Sequence, residues 1–185
     1  MSPARDISYL SRGTANQQRA HQCLSELKIL ESLAQYDPML VGAVCLDIET
    51  PQSDLDIICE AYDVERFEHD LRAYFGNLER LSITRSSTDP KAMVCQFFFK
   101  GLELEIFGAP LPIESQNGYL HFIQIDRSIR LAGSAFRERL RALKCAGMKT
   151  EPALATLLSL EGDPYQAVLG LRCMTDDEIV TRAGS

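Results

Sequence analysis

Ser53-Asp54-Leu55-Asp56-Ile57-Ile58 sets two carboxylates two residues apart inside an otherwise apolar, β-prone run. A strand points residues i and i+2 to the same face. Asp54 and Asp56 would therefore project side by side, roughly 6–7 Å apart along the backbone. Leu55 and Ile57 would face the other way, into a core. Parallel anions repel and lose hydration, so something must offset that cost. A pair of divalent metal ions would do so, and metals about 3.5–4 Å apart are a recurrent apparatus for in-line displacement at phosphorus. A lone Asp-x-Asp also has a plainer reading, two solvated acids at a strand end. Its setting decides between them.

A second acidic pair follows in Leu102-Glu103-Leu104-Glu105-Ile106-Phe107. The alternation places Glu103 and Glu105 on one face. Glu105 lies deeper in the strand. Glu103 sits beside the Lys100-Gly101 turn, where a solvated acid is unremarkable. Upstream, Gly42 interrupts an apolar run in the way that marks close backbone approach.

The elements that must position these residues follow from periodicity and punctuation. Gln17 to Tyr36 reads as an amphipathic helix, with Ala20, Cys23, Leu24, Leu27, Leu30, Leu33 and Ala34 at helical spacing. Asp37-Pro38 ends it. Residues 39–44 and 55–59 read as strands, separated by a loop over 47–53 that contains Pro51 and the solvated acids Asp47 and Glu49. Asp63 caps a helix to about Tyr74, with Gly76 placed to stop it. Strands follow over 78–84, 92–99 and 102–107, the last two joined at Lys100-Gly101 as a hairpin.

Beyond Pro112 the pattern turns helical, over 117–131, 134–146, 151–161, 164–171 and 176–182. Ser134 and Thr150 are candidate N-caps and Gly147 a C-terminal stop. Asp163-Pro164 is a cap with proline at the first helical position, and Thr175 with Glu178 forms a capping box. The fold class expected is α+β: a small mixed sheet with flanking helices, over residues 1–112, and a helical portion over 113–185.

The chain has 185 residues, with 45% of them hydrophobic, as in an ordinary globular protein. No stretch approaches the roughly 20 apolar residues of a membrane span, and Met1-Ser2-Pro3-Ala4-Arg5-Asp6 lacks the apolar core of a leader peptide. The six cysteines form no CxxC pair, which points to reduced thiols in a cytoplasmic protein rather than to disulfides or structural zinc. His21, His69 and His121 show no ligand spacing. A formal charge of −7 argues against a protein that coats nucleic acid. The segment from Arg127 to Lys149 is the exception: seven bases against the single acid Glu138, about +6, leave about −13 for the remainder. That segment is either a polyphosphate-facing surface or a solvated helix face.

Taken together, Val41-Gly42-Ala43 behind a long helix, Asp54-Leu55-Asp56, and Glu105 on a later strand resemble the nucleotidyltransferase superfamily, the DNA polymerase β-like fold, over roughly residues 15–108. Nearly the whole chain resembles a smaller group inside it, the domain of unknown function 4269. That likeness rests on Gly42, on Ser53-Asp54-Leu55-Asp56-Ile57-Ile58-Cys59-Glu60, on Glu105-Ile106-Phe107-Gly108, on Lys149-Thr150-Glu151-Pro152 and on Gly162-Asp163-Pro164-Tyr165.

The superfamily resemblance implies a two-metal site. Asp54 and Asp56 would hold the Mg²⁺ that grips a nucleoside triphosphate. With Glu105 they would form a second, catalytic metal site, and Mn²⁺ is an alternative ion. Gly42 and Ala43 would let backbone approach the phosphates, and Ser53 belongs to the same cofactor-binding set. Ala43 stands where the superfamily has Gly or Ser. It keeps the position small but removes a hydroxyl that would touch a phosphate.

Lys149, ahead of a helix start, is a further candidate for phosphate contact, and Lys144 a weaker one. Gln116, Asn117, Tyr119 and His121 are candidates for base, ribose or phosphate contact, with capping and packing as the plainer and favoured reading. The function implied is Mg²⁺-dependent transfer of a nucleotidyl group from a nucleoside triphosphate to a hydroxyl on a small molecule, RNA or protein, with no membrane partner. A metal-dependent hydrolase of nucleotides or dinucleoside polyphosphates is one alternative. A binding module with a decayed site, which Ala43 favours, is the other.

Overall fold

The computed structural model describes residues 6–184. Residues 1–5, on which the absence of a leader peptide was read, lie outside the described residues. The chain divides into two compact units, one of residues 1–45 and 53–116 and one of residues 46–52 and 117–185.

The first unit is built on a five-stranded sheet. Thr14 caps α1 (Ala15–Glu26): its hydroxyl accepts from the Gln17 backbone N–H, and the Gln17 side chain returns the bond. The single long helix expected over 17–36 does not form. Lys28 adopts φ 48°, which ends α1. The chain continues as α2 (Ile29–Ser32) and a 3-10 turn over Ala34–Tyr36. The apolar spacing persists across the break because Ile29 and Leu33 remain fully buried.

The strands are β1 (Met39–Val41), β2 (Leu55–Glu60), β3 (Glu79–Arg85), β4 (Met93–Phe99) and β5 (Leu102–Ala109). Their order is β1-β2-β5-β4-β3. Among the described residues only the β2–β5 pair is parallel, and it is bridged by α3 (Val64–Phe75) and the β3–β4 strands. The α+β fold class expected from the pattern is therefore the one present. β1 is shorter than expected. It stops at Val41 because Gly42 takes φ 84°, and a 3-10 turn over Ala43–Leu46 follows.

Alternation splits the sheet into two chemically different faces. Leu55, Ile57, Cys59, Leu104, Ile106, Cys95 and Phe97 are all buried in one core with α1 and α3. The Asp63 carboxylate caps α3 by accepting from the Arg66 N–H, and α3 sends Val64, Phe67, Leu71 and Phe75 into that core. Phe75 stacks on Phe97 with ring centroids 5.2 Å apart. Gly108 on β5 makes room for Phe67: a Cβ there would stand 2.2 Å from the Phe67 ring. Lys100 (φ 50°) and Gly101 (φ 73°) supply the two positive-φ residues of a tight hairpin between β4 and β5.

The second unit is helical: α4 (Asn117–Cys145), α5 (Thr150–Leu157), α6 (Pro164–Gly170) and α7 (Asp176–Ala183). The two helices expected over 117–131 and 134–146 are both present within α4, separated where Gly133 leaves helical geometry at φ 81° and ψ −172°. Gly147 (φ 98°) stops α4 as expected, with Gly147 N–H to Lys144 O and Met148 N–H to Leu143 O, the pair of bonds that marks a Schellman end. The Asp163 cap with Pro164 at the helix start and the Thr175–Glu178 capping box are both present. At α5 the cap is Lys149, and Thr150 is the first helical residue rather than the cap. Among the described residues no helix is long and apolar enough to cross a membrane.

Candidate functional site

The polar face of the sheet carries the candidate acids. β1, β2, β5, β4 and β3 align Val41, Asp56, Glu105, Gln96 and Ser82 in one transverse row. Asp56 and Glu105 are direct partners on parallel strands, which run about 4.8 Å apart. Register partners project from the same side, here opposite to the buried Ile57 and Ile106. Asp54 stands one residue before β2 and two before Asp56. Asp54, Asp56 and Glu105 are all half-buried. Glu103 shares the face of Glu105 but lies one alternation nearer the Lys100-Gly101 turn, opposite Phe98.

Gly42 explains how β1 reaches this row. With φ 84° it turns the chain sharply at the strand end, and a Cβ on it would stand 2.3 Å from Asp56 Oδ2. Its backbone thus lies directly against the Asp56 carboxylate. Ala43 is buried at the start of the 3-10 turn. Gln17 fixes that turn from behind, donating from Nε2 to Val44 O at 2.9 Å while buried in the core. The Cys45 thiol donates to Val41 O at 3.6 Å. Burial, with the Asp56 charge adding to it, pushes this thiol up to about 12. Ser53 is half-buried in the segment that leads into Asp54.

Glu105 has a partner that sequence reasoning missed. Gln96 Nε2 donates to Glu105 Oε2 at 2.8 Å. The signal was available: Gln96 is the one polar residue in the run Met93-Val94-Cys95-Gln96-Phe97-Phe98-Phe99. A half-buried amide in such a strand needs a hydrogen-bond partner.

The donor set suits the metal that the resemblance implies. All three side chains offer hard carboxylate oxygens, which Mg²⁺ prefers, and Mg²⁺ commonly uses one or two carboxylates with substrate phosphates and water. Among the described residues no group of three or more His, Cys, Asp and Glu side chains is gathered tightly enough to hold an ion by itself. Phosphate and water oxygens would therefore have to complete any coordination shell here.

Several other sequence candidates make structural contacts. Gln116 is buried and donates from Nε2 to Cys59 O and Leu111 O, at 2.9 and 3.1 Å. Its Nε2 is thus held at the end of β2, while its Oε1 is buried without a hydrogen-bond partner among the described residues. Asn117 is exposed where α4 begins, and Tyr119 is half-buried in its first turn.

Within the helical unit, His121 packs between Glu151 (Nδ1 to Oε1 3.5 Å) and the Tyr165 carbonyl (Nε2 to O 3.0 Å). Lys144 is buried and donates to the Thr150 hydroxyl at 2.7 Å. Lys149 is exposed. The basic segment is largely tied down locally. Arg127 pairs with Asp176, Arg130 with Asp126, and Arg139 donates to Ala183 O. Arg137 and Arg141 both grip Asp47, at 3.6 and 2.7 Å. Asp47 and Glu49 are thus not the solvated loop acids expected: Asp47 is ion-paired, and Glu49 Oε2 is buried without a hydrogen-bond partner.

Comparison with known proteins adds two findings. A solved structure of the polymerase core of TRAMP, a RNA surveillance complex, is similar to this chain with a TM-score of 0.49 at 13% sequence identity. The match covers 96% of this chain and 55% of that one, so the chain spans about half the length of that relative. No curated protein matches. The family profile for the domain of unknown function DUF4269 matches residues 22–171. The acidic row, the Gly42 turn and the first helices after the sheet all fall within that span, and the chain belongs to the DUF4269 family.

Proposed function

We propose that this protein is a Mg²⁺-dependent nucleotidyltransferase of the DNA polymerase β-like superfamily, moving a nucleotidyl group from a nucleoside triphosphate to a hydroxyl acceptor. The observation that supports this best is the register of Asp56 with Glu105, with Asp54 two residues ahead of Asp56 and the Gly42 backbone against its carboxylate. A fold without such chemistry has no reason to align carboxylates on two neighbouring strands, where like charges repel.

In this reading Asp54 and Asp56 hold the ion bound to the triphosphate, and Glu105 joins them at a second ion. When bound, the ions would neutralise charge on the attacking and leaving oxygens of an in-line displacement. The protein's own task is positional. β2 and β5 fix the spacing of the acids. Gly42 and Ala43 keep the neighbouring backbone free of bulk. The core face behind Ile57 and Ile106 keeps the row rigid.

Incubation with each α-labelled ribonucleoside triphosphate, Mg²⁺ and candidate acceptors tests the reading through its products. A transferase leaves the label on an acceptor and releases pyrophosphate, and Asp54→Asn should abolish both. Free labelled monophosphate without an acceptor adduct would instead identify a hydrolase. No turnover, with nucleotide still bound, would identify a non-catalytic module, the reading that Ala43 favours.

A further inference from the structure

Glu105 lies between two polar neighbours in the transverse row, Asp56 on β2 and Gln96 on β4. The Asp56 carboxylate repels it across the strand spacing. The Gln96 amide attracts it from the other side, through the 2.8 Å bond from Nε2 to Oε2. Both residues of that bond are half-buried, where water competes poorly for the same lone pair. The bond occupies one direction at Oε2 and restrains rotation of the carboxylate about its terminal torsion, which is otherwise broad. Glutamine suits the task chemically. It donates as lysine or arginine would, yet adds no positive charge to compete with a cation for the same carboxylate.

Building on the two-ion reading above, we propose that Gln96 is the positioning residue of the site. It orients Glu105 to complete the second ion's ligand set and does not itself touch ion or nucleotide. Outer-shell partners of this kind typically change metal affinity roughly 10- to 100-fold when removed. The effect should fall on the ion that needs Glu105. The ion held by Asp54 and Asp56 with the triphosphate should be spared.

The test is a Mn²⁺ titration followed by electron paramagnetic resonance, in the presence of the β,γ-imido analogues of the four ribonucleoside triphosphates. Wild type, Gln96→Met and Asp54→Asn are compared. Methionine preserves the shape of the side chain and removes the donor. The expected result is two Mn²⁺ per wild-type chain and, in Gln96→Met, a tighter ion within about twofold of wild type beside a weaker ion that loses roughly 10-fold or more. Asp54→Asn should lose both. Unchanged binding of both ions by Gln96→Met, or equal weakening of both, overturns the positioning role and leaves the two-ion reading standing. A wild type that binds no Mn²⁺ with any of the four analogues overturns the two readings together. Circular dichroism melts monitor folding, and if Gln96→Met does not fold, Gln96→Asn is judged by the same criteria.

Discussion

In the proposed two-ion reading each acid has a separable role at the residue scale. Asp54→Asn or Asp56→Asn should abolish Mg²⁺-dependent nucleotide binding and leave stability unchanged or raised by up to about 1 kcal/mol, since like-charge repulsion is relieved. Calorimetric titration and urea denaturation check the two halves. Glu105→Gln should lower turnover on the order of 100-fold or more and leave nucleotide affinity within about threefold. Equal loss of both would make Glu105 architectural. Gly42→Ala is the sharpest geometric test. A side chain at φ 84° costs about 1–2 kcal/mol, and its Cβ would displace the Asp56 carboxylate. Nucleotide affinity should therefore fall together with stability. A Gly42→Ala variant that is destabilised but binds Mg²⁺–nucleotide normally would separate the turn from the site.

Strands, turns and caps carried most of their own instructions. Alternation in Leu55-Asp56-Ile57 and Leu104-Glu105-Ile106 was enough to place the acids on one face, because residues at i+2 have no other choice. Asp63, Asp163 and Thr175 announced helix starts by side-chain chemistry alone. The break at Lys28 was not legible, because the buried stripe of Ile29 and Leu33 continues past it and lysine carries no turn signal. The pairing of Gln96 with Glu105 follows from the register of the Lys100-Gly101 hairpin. That of Gln17 with Val44 O depends on a distant segment and could be suspected only from an amide in apolar surroundings. Glu49 was misread for the same reason: a Pro-containing loop looks solvated until its surroundings fold around it. Packing makes a prediction at this scale. Gly108→Ala puts a methyl 2.2 Å from the Phe67 ring and should cost about 1–3 kcal/mol by overpacking. Phe67→Leu in the same chain should recover part of it, as read from denaturation midpoints.

At the scale of the whole molecule, thiol chemistry reports on both units at once. Cys23, Cys59 and Cys95 are buried, whereas Cys145 and Cys173 are exposed. Burial pushes Cys23 up to about 11 and Cys95 to about 12 from an ordinary 9.0. These groups stay neutral in the native state while the unfolded chain ionises them. Their contribution to stability is complete below about pH 9 and declines as pH rises toward 12. Iodoacetamide at pH 8 should accordingly label Cys145 and Cys173 quickly and the buried thiols only on unfolding, as peptide mass mapping would show. The sequence marked the helical unit by its caps, but not that residues 46–52 group with it. Within that unit Arg137 and Arg141 meet Asp47 across some 90 residues of chain. The central claim, that Asp54 stands at a metal-dependent nucleotide site, is tested most directly by thermal shift. Wild type and Asp54→Asn would each be melted with the four ribonucleoside triphosphates, with and without Mg²⁺. At a hundred times its dissociation constant a ligand adds roughly 2.7 kcal/mol, a rise of a few degrees. The account predicts such a rise in wild type only with Mg²⁺ present, and none in Asp54→Asn. Equal shifts in the two proteins, or no shift with any triphosphate, would contradict it.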